Sequence, residues 1–315
     1  MKPQTTKVYD VYWEFAYKRQ EAFFNRLKGN VGIISDDPVI QRYKFTNAYR
    51  VTDRVSQYLI KNVIYRGNQY SNEDVLFRIL LFKLFNKIET WQYLENSIGD
   101  ITLKSFNIDR FDSLLRELLD EKIRIYSAAY IMPSGKSAFG NALKHRNNLE
   151  LLDLMMRDHL SQKIAKADSL SELYTILLDY PSIGPFLAFQ YAIDINYSEL
   201  CDFSEMSFVV AGPGAKSGIQ KAFVCDKYDY EYFIKYVADH QEEEFERRGY
   251  EFQTLFGRQL QLIDCQNLFC ETDKYSRIVC PDITSKQNRT RIKQYFSPKS
   301  DFYELFLPPK WNLKY

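Results

Sequence analysis

Apolar residues in this chain recur at three- and four-residue steps in one segment after another, and almost nowhere do they alternate at two-residue steps. That periodicity constrains the fold to a mainly α architecture. Residues 11–28 place Trp13, Phe15, Ala16, Phe23, Phe24 and Leu27 among charges, as an amphipathic helix does. Asp36-Asp37-Pro38 is a helix start, a capping acid followed by proline in the first turn. The helix expected after it carries Val39, Ile40, Tyr43, Phe45, Ala48, Tyr49 and Val55. Residues 73–86 are apolar nearly all round and predict a central helix. Further helices are expected over 111–131, 149–164 and Tyr228–Arg248, the last with the run Glu242-Glu243-Glu244 as a solvated face. Phe208-Val209-Val210 and Leu260-Gln261-Leu262-Ile263 are the best short strand candidates.

There is no internal repeat and no low-complexity linker, so 1–315 is expected to be a single helical domain, with a possible soft division near residue 150. Apolar residues make up 45% of the chain, and 24 Tyr and 23 Phe carry much of that core. The net charge of +1 supplies no global field for nucleic acid, so any such site must be a local basic patch. Cys201, Cys225, Cys265, Cys270 and Cys280 are an odd set without metal-ligand spacing. With no signal peptide and no apolar run of membrane-spanning length, they read as free thiols of a cytoplasmic protein. His145, His159 and His240 lie far apart, which argues against a His-based metal site or triad. Any catalytic burden then falls on carboxylates.

The segment Tyr180–Gly218 concentrates chemistry. Leu170 to Leu178 is a helical run; Tyr180-Pro181-Ser182-Ile183-Gly184-Pro185 is a tight turn, and an apolar helix restarts at once. Such a hairpin aims free N–H groups of its second helix at one spot, which suits a phosphate held at Ser182 and Gly184. Most Pro-x-x-Gly turns bind nothing. Ala211 to Gly218, with Gly212, Gly214 and Lys216, reads as a glycine loop that lets backbone approach a ligand. It is neither a Walker A sequence nor a dinucleotide fingerprint. Gly135-Lys136-Ser137 lacks the earlier glycine of a P-loop and reads as an ordinary loop. Asp202 and Glu205 lie between the hairpin and the glycines.

Two polar clusters interrupt apolar pattern. Asn47, Arg50 and Arg54 share a helical face, as do Arg50 and Asp53. They form either an internal salt-bridge face or a polar pocket wall in which Asn47 offers its amide to a base. Gln266, Asn267, Glu271 and Lys274 fall on helical spacing, too many hydrogen-bonding groups for a plain core helix. Finally, residues 281–299 carry five positive charges (Lys286, Arg289, Arg291, Lys293, Lys299) against Asp282 alone, with Tyr295 and Phe296 among them. That is a backbone-binding strip with stacking aromatics, or a solvated arm.

The string Asp37-Pro38-Val39-Ile40-Gln41-Arg42-Tyr43-Lys44-Phe45-Thr46-Asn47-Ala48-Tyr49-Arg50 resembles the opening motif of the α-glutamyl/putrescinyl thymine pyrophosphorylase family. That family shares its helical domain with the phage 5-hydroxymethyluracil DNA kinases. Tyr126–Pro133, Phe208–Ala215 and Cys270–Tyr275 also look like family motifs, so the likeness covers roughly residues 12 to 280. The resemblance implies a helix-hairpin-helix, DNA-glycosylase-like fold. Counting on from Gly184 by the spacing of those glycosylases lands at Ser204, between Asp202 and Glu205, and the position of the lyase lysine is Phe186 here. It therefore implies a monofunctional DNA glycosylase that excises a bulky modified pyrimidine, such as glucosylated hydroxymethylcytosine, from phage DNA and leaves abasic sites in antiviral defence. In that scheme Glu205 or Asp202 is catalytic. Asn47, Arg50, Asp53, Tyr43, Gln266, Asn267, Glu271 and Lys274 hold the flipped base, while Ser182, Gly184, Gly212, Gly214, Lys216, Arg289, Arg291 and Lys293 hold the backbone. The expected partner is double-stranded DNA with modified bases; no metal, organic cofactor, membrane or obligate protein partner is called for. The alternative is a hypermodification transferase that displaces pyrophosphate from a modified thymine, with Lys216, Arg50, Arg54 and Lys274 facing the anion. A non-catalytic binder of modified DNA is the third reading.

Overall fold

Tyr180 to Pro185 does join two helices, and helices account for nearly all of the regular structure. A computed structural model describes residues 3–29, 35–67, 70–297 and 304–315. Two compact units emerge: residues 1–53 with 209–315, and Arg54–Phe208. Residue 150 lies inside a helix of the second. Among the described residues the only β pairing is three isolated bridges, Thr5–Phe223, Tyr43–Tyr295 and Leu255–Arg258. Neither strand candidate forms: Phe208–Val210 is irregular, and Leu262 and Ile263 open a helix. No helix among these residues is long and apolar enough to cross a membrane.

The chain begins the first unit with α1 (Lys7–Leu27), capped by the Thr6 hydroxyl, which accepts from Val8 N. Helix α2 (Pro38–Arg42) is shorter than its apolar pattern predicts. Asp37 caps it by accepting from the N–H groups of Val39 and Ile40 at 2.9 and 3.0 Å. At Tyr43 the backbone turns extended, and residues 43–49 leave the helix before a 3₁₀ turn over Arg50–Thr52. The Asn47, Arg50 and Arg54 side chains therefore do not share a helical face. The cause is competition for backbone hydrogen bonds. Asn47 N is held by the Asp53 carboxylate and Thr46 N by Glu271, so neither N–H joins a helical ladder.

The second unit starts with α3 (Arg54–Tyr58) and a π-helical turn over Leu59–Ile64. Helix α4 (Asn72–Phe85) is buried from Leu76 to Phe85, as its all-round apolarity predicts. Helices α5 (Ile88–Ile98), α6 (Ile108–Asp120), α7 (Lys136–Phe139), α8 (Lys144–Arg157) and α9 (Leu160–Lys166) follow. The helix expected over 111–131 thus ends at Asp120, where Lys122 adopts positive φ, and His159 with positive φ divides 149–164. The hairpin closes the unit with α10 (Leu170–Leu178) and α11 (Pro185–Ile195), whose mutual packing is the most extensive in the unit.

Back in the first unit, the expected glycine loop is helix α12 (Pro213–Ala222), with Gly212 at its N-cap and Pro213 at N1. The correction follows from proline, which is preorganised for a first turn and lacks the N–H a helix start would leave unbonded. The glycines serve packing instead. A Cβ on Gly214 would meet Cys270 Sγ at 2.2 Å, and one on Gly218 would meet the Phe269 carbonyl oxygen at 2.0 Å. Helix α13 (Tyr230–Asp239) ends at His240, where α14 (Gln241–Arg247) begins, because the Gln241 side chain ties Ala238 O to Leu260. In the acidic run, Glu244 is buried and held by Arg247 and Arg248, while Glu242 and Glu243 are exposed. Helix α15 (Leu262–Val279) is the spine of this unit, with α1 and α12 packed on it.

Candidate functional site

Helix α15 shows why its sequence is so polar. Asn267, Cys270, Lys274 and Arg277 are half-buried and lie along one stripe, flanked by buried Asp264, Gln266 and Glu271. Lys274 and the flanking Asp264 and Glu271 meet the irregular segment 43–53. Arg50 N donates to Asp264 Oδ1 at 2.7 Å, Thr46 N donates to Glu271 Oε2 at 3.1 Å, and Lys274 Nζ reaches Lys44 O at 3.0 Å. Lys274 also pairs with Glu271 at 2.7 Å. Both ends of the segment are pinned. Asp37, besides capping α2, accepts from the Tyr275 hydroxyl at 2.6 Å and pairs with Lys18 at 3.0 Å, joining α1, α2 and α15. Burial alone would raise its pKa, but the bonds from Tyr275, Ile40 N and Lys18 hold it below the ordinary value.

Within this cluster Asn47 is largely committed to the scaffold. Its Oδ1 accepts from Arg19 Nη2 at 2.8 Å, and its Nδ2 donates to Thr52 O at 2.9 Å. One lone pair and one N–H of the amide are left for anything else. Arg50 is 2% exposed, so its guanidinium belongs to the interior of the unit. Asp53 is the chemically distinctive member. Its carboxylate accepts from Asn47 N at 2.8 Å, and the residue as a whole is half-buried. Desolvation raises its pKa to about 7, with Glu271 adding to the rise and the Asn47 N–H, Arg50 and Arg19 opposing it. A carboxyl pushed toward neutrality beside cations is what a proton-transfer step uses. Gln266, 2% exposed, donates to Asn267 Oδ1 at 3.0 Å and leaves its Oε1 buried without a hydrogen-bond partner.

Asn47, Arg50, Asp53, Gln266, Asn267, Glu271 and Lys274 thus belong to one neighbourhood of the first unit. Gly212 and Gly214 sit at the α12 N-terminus, which has no side-chain cap, and Gly214 lies against Cys270 of the stripe. Lys216 is exposed and leans on the Tyr230 ring, 5.2 Å from its centroid. Tyr43, Arg289, Arg291 and Lys293 lie at the surface of the same unit; Lys299 falls outside the described residues. The other candidates are in the second unit. Gly184 is the exposed N-cap of α11, Ser182 has φ +68°, and Phe186 stacks on Tyr130. Asp202 is exposed and Glu205 buried. Sequence reasoning missed Arg19, which sits in the amphipathic pattern of α1 and gives no signal of its buried role, and Thr46, whose hydroxyl is buried without a partner.

The family model described as the helical domain of 5-hmdU DNA kinases matches residues 6–285. A curated relative, the 5-hmdU DNA kinase of Bacillus phage SP10, is 26% identical over 298 residues, covering 87% of this chain and 46% of that protein. The chain spans about half the length of this relative. No solved structure matches it. These similarities overturn the expected hydrolase. A relative that carries the name of a kinase belongs to group-transfer chemistry, so the reading as a DNA glycosylase that leaves abasic sites is withdrawn. The catalytic part given to Asp202 and Glu205 was tied to that cleavage.

Proposed function

Because this chain belongs to the family of 5-hmdU DNA kinase helical domains, we propose that it holds 5-hydroxymethyluracil in DNA for group transfer at the 5-hydroxymethyl substituent. The observation that carries the reading is Asp53, a half-buried residue whose carboxyl desolvation pushes up to about 7, beside Glu271 of α15. A primary hydroxyl is a poor nucleophile until a base takes its proton in the transition state. Asp53 supplies that base. Its carboxylate accepts the hydroxyl proton as the oxygen forms its bond to the transferred group, and the donor's leaving group departs with the electron pair. Lys274, paired with Glu271, and the first turn of α12, where Glu231 accepts from Ala211 N just ahead of the N-cap Gly212, border the same stripe. Asn267 and the remaining capacity of Asn47 suit the polar edge of a pyrimidine.

The test uses two DNA duplexes identical except for one 5-hydroxymethyluracil in place of thymine. The protein is expected to bind the hydroxymethylated duplex about tenfold more tightly, as a site that hydrogen-bonds a hydroxyl does. Asp53→Ala should remove most of that preference. Nucleosides recovered after incubation with ATP and magnesium are then weighed by mass spectrometry. Bases that stay attached to their sugars fit the reading. Equal affinity for the two duplexes, or abasic sites formed at the modified base, would sink it.

A further inference from the structure

The basic arm is built into the first unit, and it carries an aromatic platform that the group-transfer site does not use. Ser285 and Ile292 are buried and anchor it, Lys286 N donates to Gln220 Oε1, and the Arg277 guanidinium holds Arg291 O at 2.9 Å. Its end then pairs with the segment after α2. Lys44 N donates to Gln294 O at 3.1 Å and Phe296 N to Arg42 O at 3.0 Å, on either side of the Tyr43–Tyr295 bridge. That register stacks the two tyrosine rings, with centroids 5.3 Å apart and planes 28° from parallel. The Arg42 guanidinium lies 5.4 Å from one ring centroid and 6.0 Å from the other. Tyr295 remains 62% exposed. Such exposure of a ring already ordered by a neighbour leaves an open π-face whose immobilisation entropy has been spent in folding.

Charge selects the occupant. Arg289, Arg291 and Lys293 recur at every second position before Tyr295, the spacing at which an extended chain turns side chains the same way. All three are exposed, as are Arg42, Lys44 and Lys286, and none of the six forms an ion pair with a described residue. No acid occurs between residues 283 and 297 or between 38 and 52. Cations leading up to an open aromatic face match a phosphate chain that carries an unstacked base. We infer that this surface is a second DNA contact, in which Tyr295 stacks an unpaired nucleotide while Arg289, Arg291 and Lys293 follow its backbone phosphates. The inference rests on the proposed action on DNA but not on recognition of the hydroxymethyl group.

The experiment therefore uses unmodified DNA. A fluorescein-labelled single-stranded oligothymidylate is titrated with the full chain over a series of salt concentrations, reading anisotropy. Tyr295→Ala is expected to weaken binding about tenfold, and Tyr295→Phe, which keeps the ring, to hold wild-type affinity. Replacing Arg289, Arg291 and Lys293 together by Gln should flatten the salt dependence by about two units of log–log slope. Circular dichroism checks that each variant keeps its helices. Wild-type affinity in Tyr295→Ala overturns the stacking platform, and an unchanged salt slope in the triple variant overturns the phosphate track. Dependence on Tyr295 without any preference for 5-hydroxymethyluracil would retain this surface and remove only the modified-base reading.

Discussion

At the scale of the residue, Asp53 ties electrostatics to both stability and activity. Its folded pKa of about 7 lies above the ordinary 3.8. Between those values the folded protein keeps a proton that the unfolded chain has released. Its contribution is therefore most favourable below about pH 4, declines as pH rises through the window to about 7, and is level above it. Asp53→Asn cannot ionise, so its melting temperature relative to wild type should climb from pH 5 to pH 8 and then stop climbing. A constant gap in thermal melts across that range would show that the carboxyl does not titrate there. Transfer activity should move the opposite way, rising with pH through about 7 in wild type as the base form appears and staying low in Asp53→Asn. The polar residues of this cluster were legible because Asn47, Arg50, Asp53, Gln266, Glu271 and Lys274 sit where apolar residues belong. The reason first given for their meeting, a shared helical face, was wrong for 47–54. Capture of Asn47 N by Asp53 depends on the folded neighbourhood, and no local propensity announces it.

At the scale of the element, the crossing of α12 on α15 decides whether the stripe exists. Gly214 and Gly218 are one helical turn apart and let the two backbones meet, but they do so against different things. Gly218→Ala drives its methyl into the Phe269 carbonyl, which cannot step aside without moving α15, and a cost of about 3 kcal/mol or more is expected. Gly214→Ala meets mainly the Cys270 sulfur, so adding Cys270→Ala should recover a large part of the loss. Urea unfolding of the two single variants and the double variant checks this. Failure of Cys270→Ala to rescue Gly214→Ala would mean that backbone strain in α12, and not the sulfur contact, sets the cost. The same crossing shows why glycine misled the sequence reading. Gly-Pro-Gly signals a loop by composition, while proline at N1 and glycines facing a neighbouring helix satisfy a helix equally well, and only the partner distinguishes them. The hairpin carried no such ambiguity. Two apolar helical runs flanked Pro181 and Gly184, and α10 and α11 form on either side of that turn.

At the scale of the whole molecule, the chain leaves its first unit at Arg54 and re-enters it at Val209, so that unit is closed by contacts distant in sequence. This order was hidden because no linker or change of composition marks either crossing point. The aromatic face of α1 depends on it. Within the first unit Tyr12 packs on Phe269 with ring centroids 4.4 Å apart, Trp13 on Phe245 at 5.0 Å and Phe15 on Tyr275 at 5.0 Å. All three partners come from the returning segment. Until α15 is available, α1 has amphipathic pattern but no such surface to bury, and closing so long a loop slows folding. The second unit is continuous from Arg54 to Phe208 and has α4 as its own buried helix. Two fragments separate these cases. Residues 54–208 should give a cooperative helical melt with little binding of a hydrophobic dye. Residues 1–208, which add α1 without its partners, should bind the dye strongly and self-associate as exposed apolar faces do. Dye binding by 1–208 no greater than by 54–208 would mean that α1 finds another surface when the returning segment is missing, and that the first unit does not need its two halves together.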